Sequence, residues 1–120
     1  MGIRPNQRDF LLFLHDIVSS IEKINVCIEG VSDSDALESD WMRYDAVLRN
    51  LEIVGEAVNK LPANIKEQFP EVPWDDMYRT RNIISHYYFG IDSEIIWRIA
   101  TLHLPENLAQ IKDIIRYFEA

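Results

Sequence analysis

Apolar residues recur at spacings of three and four along most of the chain, and this period limits what the chain can fold into. It is the period of an amphipathic α-helix. The first run predicts a helix from about Asn6 to Glu29, which Gly30 ends. No segment alternates apolar and polar residues as a half-buried strand does, and no internal repeat occurs. The sequence therefore predicts an all-α fold, an up-and-down bundle of four to five helices.

Acidic residues and helix breakers mark the ends of the second helix. Asp35 followed by Glu38 resembles a capping box, and these residues are expected to begin a long helix that continues up to Pro62. Gly55 lies inside this helix, where glycine costs about 1 kcal/mol relative to alanine. We therefore expect it to permit close packing against another helix. Residues 63–69 should form at most two helical turns.

The third main helix is expected from Trp74 to about Phe89, and Gly90 should close it. Asp92 can then cap the next helix, because its side chain can accept a hydrogen bond from a free backbone amide. Apolar residues keep the helical period to the end of the chain. Pro105 should kink or split this last helix, because proline cannot donate a backbone hydrogen bond.

Length and composition narrow the class of protein. With 120 residues, 48% of them hydrophobic, the chain can build one compact core, and we expect a single domain over residues 1–120. The net charge of −8 argues against a broad basic surface for duplex binding, so no DNA partner is expected. Cys27 is the only cysteine, and neither a signal peptide nor a membrane-spanning apolar run is present. These features predict a cytoplasmic protein with no membrane partner.

The segment from Met77 to Ile91 contains no acidic residue, although the chain has 20. Its candidate functional side chains are Arg79, Arg81, Asn82, His86, Tyr87 and Tyr88. On an ideal helix, Arg81 interrupts a largely apolar stripe. The other members of that stripe are Trp74, Met77, Ile84 and Tyr88. A guanidinium in such a face is costly unless it is paired or reaches water, so Arg81 requires an explanation.

Three further side chains could support Arg81 and His86. Glu56 is either a partner of Arg81 or His86, or an exposed residue that merely favours a helix. Asn82 precedes His86 by four positions and is well placed to hydrogen-bond the imidazole. Arg79 lies near the His86 face of the helix. These residues are supporting candidates.

Arg81 and His86 lie about 140° apart around an ideal helix, so a regular helix does not present both to one phosphate. Either the helix loosens near Gly90, or a second copy of the chain completes the site across a symmetric dimer. We favour the dimer.

These residue types suit cleavage of RNA without a metal. A neutral histidine can take the proton from a ribose 2′-hydroxyl, an arginine can stabilise charge on the phosphorane, and a second imidazole can protonate the leaving 5′-oxygen. No cluster of carboxylates accompanies His86, so neither a metal nor a cofactor is expected. The residue chemistry alone also leaves open a structural role for Arg81 and His86.

The motif and its context resemble a known family. Arg81, His86 and Tyr88 match the Arg-x4-His-x-Tyr motif of HepT-like toxins in the HEPN ribonuclease superfamily. The segments FLLFLHDIVSSIEKI, LEIVGEAVNKL, PWDDMYRTRN, FGIDSEIIW and LPENLAQIKDII also resemble the corresponding family segments. Because they occur in family order along nearly the whole chain, the set is more specific than the motif alone.

The resemblance implies a dimeric, HEPN-like helical bundle that cleaves RNA without metal, as the toxin of a toxin–antitoxin pair. Its partner would be an MntA-like nucleotidyltransferase antitoxin, which transfers AMP from ATP to the motif tyrosine. By the same resemblance, Arg81 and His86 are catalytic, Asn82 is supporting and Tyr88 is the modified residue. Arg79 and Glu56 lie outside the motif. AMP on Tyr88 would block the site through its bulk and its negative phosphate.

Two other functions remain open at this point. One is a non-catalytic helical binding partner of a minimal nucleotidyltransferase, which an acidic surface suits equally well. The other is a bundle that binds a small molecule, which only the apolar core favours.

Overall fold

The computed structural model describes residues 7–86 and 90–120, and within these ranges it contains helices and no strand. In chain order the helices are α1 (Gln7–Ile28), α2 (Ser34–Ser39), α3 (Trp41–Lys60), α4 (Ala63–Gln68), α5 (Trp74–His86), α6 (Ser93–Arg98) and α7 (Leu104–Glu119). The four long ones, α1, α3, α5 and α7, form the bundle, and the short ones connect them. The predicted all-α bundle is confirmed. No helix within the described ranges has the length and hydrophobicity that a membrane span requires.

Helix α3 is the centre of the bundle, because it packs against α1 on one side and α5 on the other, while α7 covers α1. The buried side chains recur at spacings of three and four, as the sequence period requires. On α1 they include Leu14, Ile17, Ile21 and Ile24, and on α3 they include Val47, Leu51, Val54 and Val58. Each such side chain contributes about 1.5–3 kcal/mol when buried, so the α1–α3 contact supplies much of the core.

The start of the second long helix differs from the prediction. Asp35 and Glu38 do not cap it; both lie inside the short helix α2, which Asp33 caps by accepting a hydrogen bond from the Ala36 amide at 2.8 Å. The long helix α3 begins later, at a cap formed by Asp40. Asp40 has a non-helical backbone, with φ −96° and ψ 86°, so the chain turns between the two helices.

The second half follows the predicted boundaries more closely where it is described; the predicted end of the third main helix near Phe89 lies outside the described residues. Asp92 caps α6 by accepting from the Glu94 amide at 2.9 Å, as expected. Residues Ile99–His103 form a π-helical turn between α6 and α7, in which the Leu104 amide donates to the Ile99 carbonyl. Pro105 follows in the first turn of α7. The predicted split near Pro105 is therefore confirmed. A π-helical turn, and not a non-helical segment, separates the two helices.

Candidate functional site

Helix α5 is anchored to the bundle through the apolar stripe that its sequence predicts. Trp74, Met77 and Ile84 are buried, with exposed fractions of 7%, 6% and 1%. The indole nitrogen of Trp74 also donates to the Phe69 carbonyl at 3.0 Å, which fixes the start of the helix. Tyr88, the last predicted member of the stripe, lies outside the described residues. The buried side chains fix the rotation of α5 and therefore decide where its polar residues face.

Helices α3 and α5 meet closely where Gly55 faces Arg81. A Cβ atom at position 55 would overlap the Cβ of Arg81 and would lie 3.4 Å from the carbonyl oxygen of Met77. Only glycine leaves room for this approach of the two backbones. The expectation that Gly55 permits close helix packing is confirmed, and the helix it accommodates is the one that carries the motif.

Arg81 pairs with Glu56, the residue that follows Gly55. Its Nη2 atom donates to Oε1 of Glu56 at 2.9 Å, and the two side chains are 32% and 47% exposed. Of the two interpretations of Glu56, the structure shows the partner of Arg81. A guanidinium has five N–H donors, and the bond to Glu56 engages one of them. Arg81 is thus both paired and in contact with solvent, which explains how it is tolerated within the stripe.

The other predicted residues lie apart from this ion pair. His86 is the last described residue of α5 and is exposed. Among the described residues, the half-buried Asn82 forms no hydrogen bond with His86, so that expected contact is not observed. Arg79 is exposed and pairs with Asp76 one turn earlier, at 3.5 Å. The structure therefore brings Arg81 together with Glu56, and among the described residues the exposed His86 lies apart from this pair.

Tyr88, the predicted modification site, and its neighbour Tyr87 both lie outside the described residues. Within residues 7–86 and 90–120, no three histidine, cysteine or acidic side chains are grouped so that they could hold a metal ion.

The structure also contains a depression beside Glu56, which was not predicted from the sequence. It has a volume of about 280 Å³ and lies between α1 and α3. Its lining residues, which define the α1–α3 depression, are Phe13, Asp16, Arg49, Ile53, Glu56, Ala57 and Lys60. The helical spacing of Arg49, Glu56 and Lys60 was visible in the sequence, but only the packing of α1 shows that they border one concave surface.

Comparison with known proteins indicates the same family as the sequence motif. Residues 17–114 match a family model described as "Ribonuclease HepT-like". The chain is similar to "Putative RNase MJ0127" of Methanocaldococcus jannaschii, with 37% identity over 115 residues, which cover 94% of this chain and 93% of the relative. It is also similar to "Probable ribonuclease HepT" of Thermococcus cleftensis, with 37% identity over 93 residues, covering 78% and 84%. No solved structure matches the chain significantly.

Proposed function

Because the chain belongs to the HepT-like ribonuclease family, we propose that it is a metal-independent endoribonuclease whose catalytic residues are Arg81 and His86. The family resemblance and the prediction of a ribonuclease are confirmed at the level of the family. The observation that supports these two residues is their accessibility. Arg81 is held at the α3–α5 contact with spare donors, and His86 is exposed on the same helix, about 1.4 turns later.

The proposed reaction is attack by a ribose 2′-hydroxyl on the adjacent phosphate. His86 takes the hydroxyl proton as the 2′-oxygen bonds to phosphorus, and Arg81 stabilises the charge on the phosphorane. The bond from phosphorus to the 5′-oxygen then breaks, and a second imidazole protonates that oxygen. The products are a cyclic 2′,3′-phosphate and a free 5′-hydroxyl. Water is not required for this step, and neither is a metal.

A second copy of the chain would supply the second imidazole. Arg81 faces α3, whereas His86 faces solvent, so a single α5 does not direct both at one phosphate. We propose a homodimer in which the α5 helices of two copies approach each other. The exposed Ile83, which lies between Arg79 and His86 on α5, gives this surface an apolar contact.

We further propose that the protein is the toxin of a toxin–antitoxin pair in the cytoplasm. Its partner would be an MntA-like nucleotidyltransferase that modifies Tyr88. The tyrosine oxygen would attack the α-phosphorus of ATP, and pyrophosphate would leave. The motif spacing supports this assignment, because Tyr88 follows His86 by two positions. AMP at that position would place negative charge where an RNA phosphate must enter.

Cleavage of RNA by the unmodified, purified chain in EDTA tests the ribonuclease assignment. We expect Arg81→Ala and His86→Ala each to lower the cleavage rate by about 10²-fold or more, since each removes a group that acts in the transition state. Ser85→Ala is the matched control, because Ser85 is an exposed α5 residue next to His86. Equal cleavage by wild type and His86→Ala, or no cleavage by either, would contradict the assignment.

A non-catalytic partner of a nucleotidyltransferase is the second candidate. It is favoured by the ion pair of Arg81 with Glu56, which already occupies part of the guanidinium. Intact mass spectrometry after coexpression with the nucleotidyltransferase distinguishes the two functions. The toxin assignment predicts AMP on wild type and on Tyr87→Phe but not on Tyr88→Phe, and growth arrest when the unmodified chain is expressed alone. A stable complex without AMP and without growth arrest would favour the passive partner.

A further inference from the structure

Most described lysine and arginine side chains are engaged by a carboxylate or a backbone carbonyl. The ion pairs are Arg43–Asp40, Arg79–Asp76, Arg81–Glu56, Arg98–Glu94, Lys112–Glu22 and Arg116–Asp113, and Lys66 donates to the Val58 carbonyl. Among the described side chains, Lys23, Arg49 and Lys60 form neither kind of bond. Of these three, Arg49 and Lys60 border the α1–α3 depression, and Lys23 does not.

The positions of Arg49 and Lys60 follow from the helix period. Together with Ile53 and Glu56 they occur at intervals of four, three and four residues, so all four side chains share one face of α3. Lys60 is also oriented by α1, because its Nζ atom lies 5.8 Å from the centre of the Phe13 ring. Such a cation–π contact holds the ammonium group over the depression.

Glu56 connects this surface to the proposed catalytic arginine. It borders the α1–α3 depression, and its carboxylate accepts the bond from Arg81. Along α3, Arg49 precedes Glu56 by about 10 Å and Lys60 follows it by about 6 Å. In the lining, Arg49 and Lys60 balance the carboxylates of Asp16 and Glu56, and Arg81 adds a third cation through its bond to Glu56.

We propose that the α1–α3 depression is a substrate subsite, where Arg49 and Lys60 bind phosphates of single-stranded RNA that neighbour the phosphate at Arg81. This inference rests on the proposed ribonuclease function. Lysine and arginine in a groove are the side chains that follow a single-stranded backbone. Contacts to phosphates remote from the reacting one bind ground state and transition state alike, so they act on substrate affinity rather than on the chemical step.

The test compares the double variant Arg49→Gln/Lys60→Gln with Lys23→Gln. Lys23 is the control because it is an exposed lysine on α1 that also forms no ion pair among the described residues. The probe is a single-stranded RNA with 2′-O-methyl groups, which lacks the attacking hydroxyl and so reports binding alone. Fluorescence anisotropy across a salt series gives the dissociation constant and its salt dependence for each protein.

We expect the double variant to bind about tenfold more weakly, and its slope of log K against log salt to be shallower by about 1.4, because each phosphate contact in single-stranded RNA contributes about 0.7. On cleavable RNA, kcat should stay near the wild-type value while KM rises. Lys23→Gln should match wild type in each measurement. Both substituted residues are exposed, so thermal unfolding should show that the fold is intact.

Equal affinity and salt slope for the double variant and the Lys23→Gln control would overturn the subsite. A fall in kcat with unchanged affinity would also overturn it, because that pattern indicates a disturbed catalytic group. If wild type still cleaves RNA in EDTA in either case, the ribonuclease assignment stands and only the subsite fails. A wild-type chain that neither binds nor cleaves RNA would overturn both.

Discussion

Arg81 owes its position to two consecutive residues of α3. Gly55 removes the side chain that would keep α5 away, and Glu56 binds the guanidinium that arrives. Both partners of the ion pair are substantially exposed, and ion pairs of this kind contribute only about 0–1 kcal/mol. Its importance is therefore in orientation: Glu56 limits the directions in which Arg81 can present its remaining donors.

Substitution of Glu56 tests this role. We expect Glu56→Ala to lower kcat for RNA cleavage by about tenfold, because a loosely held guanidinium loses alignment with the phosphate. The kcat of Glu56→Gln should lie between those of wild type and Glu56→Ala, since an amide oxygen can still accept a hydrogen bond from Arg81. The free energy of unfolding of both variants should lie within about 1 kcal/mol of the wild-type value, which calorimetry can check. Cleavage by Glu56→Ala at or above the wild-type rate would show that Glu56 competes with RNA instead.

The residue-level result was only partly predictable from the sequence. The helical period places Arg81 in an apolar stripe, and the cost of a buried charge predicts that it has a partner. For Glu56 the sequence left two interpretations open, a partner of Arg81 or His86 and an exposed residue. A sequence separation of 25 residues does not specify which side chains meet. The cations Arg49 and Lys60 were overlooked for the same reason, because their lack of an ion-pair partner among the described residues is a property of the folded surface.

At the scale of elements, helices α3 and α5 approach closely at Gly55, where a Cβ atom would overlap the Cβ of Arg81. This gives Gly55→Ala a specific expected effect. Alanine favours a helix over glycine by up to about 1 kcal/mol, but the overlap with Arg81 should outweigh this and give a net loss of about 1–2 kcal/mol. The helices should also separate, so RNA cleavage should fall. Thermal unfolding and cleavage rate measure both effects.

Gly90→Ala is the control for Gly55→Ala, because a Cβ at position 90 meets no atom of the described residues within 4 Å. It should leave the free energy of unfolding within about 1 kcal/mol of wild type. A Gly55→Ala variant as stable as this control, or more stable, would contradict the close approach of α3 and α5.

Element boundaries show where sequence reasoning succeeds and where it fails. Asp92 was identified as a cap because one acid stands before one clear apolar run. In VSDSDALESD, Asp33, Asp35 and Asp40 all qualify, and local preference alone does not rank them. The division of that region into α2 and α3 depends on tertiary packing of α2 against α6. Ser93 contributes to that packing by donating to Glu38 at 3.2 Å.

For the whole molecule, the proposed site requires two chains. Light scattering should therefore find a stable dimer at micromolar concentration. Ile83→Asp should weaken the dimer and lower cleavage in parallel, because it places a charge on the exposed face of α5 between Arg79 and His86. Val26→Asp is the control, since Val26 is an exposed apolar residue on α1. A wild-type monomer that cleaves RNA at full rate would contradict the shared site.

The uneven charge of the molecule has a consequence for the rate at which it meets RNA. At long range the net charge of −8 repels a polyanion, whereas at contact Arg49, Lys60 and Arg81 would attract it in the proposed subsite. Salt screens charges separated by more than about 10 Å at 0.1 M ionic strength. Added salt should thus speed encounter while it weakens the bound complex. Cleavage of dilute RNA would then be fastest at an intermediate ionic strength, and RNAs would be selected by their fit on contact rather than by frequency of collision.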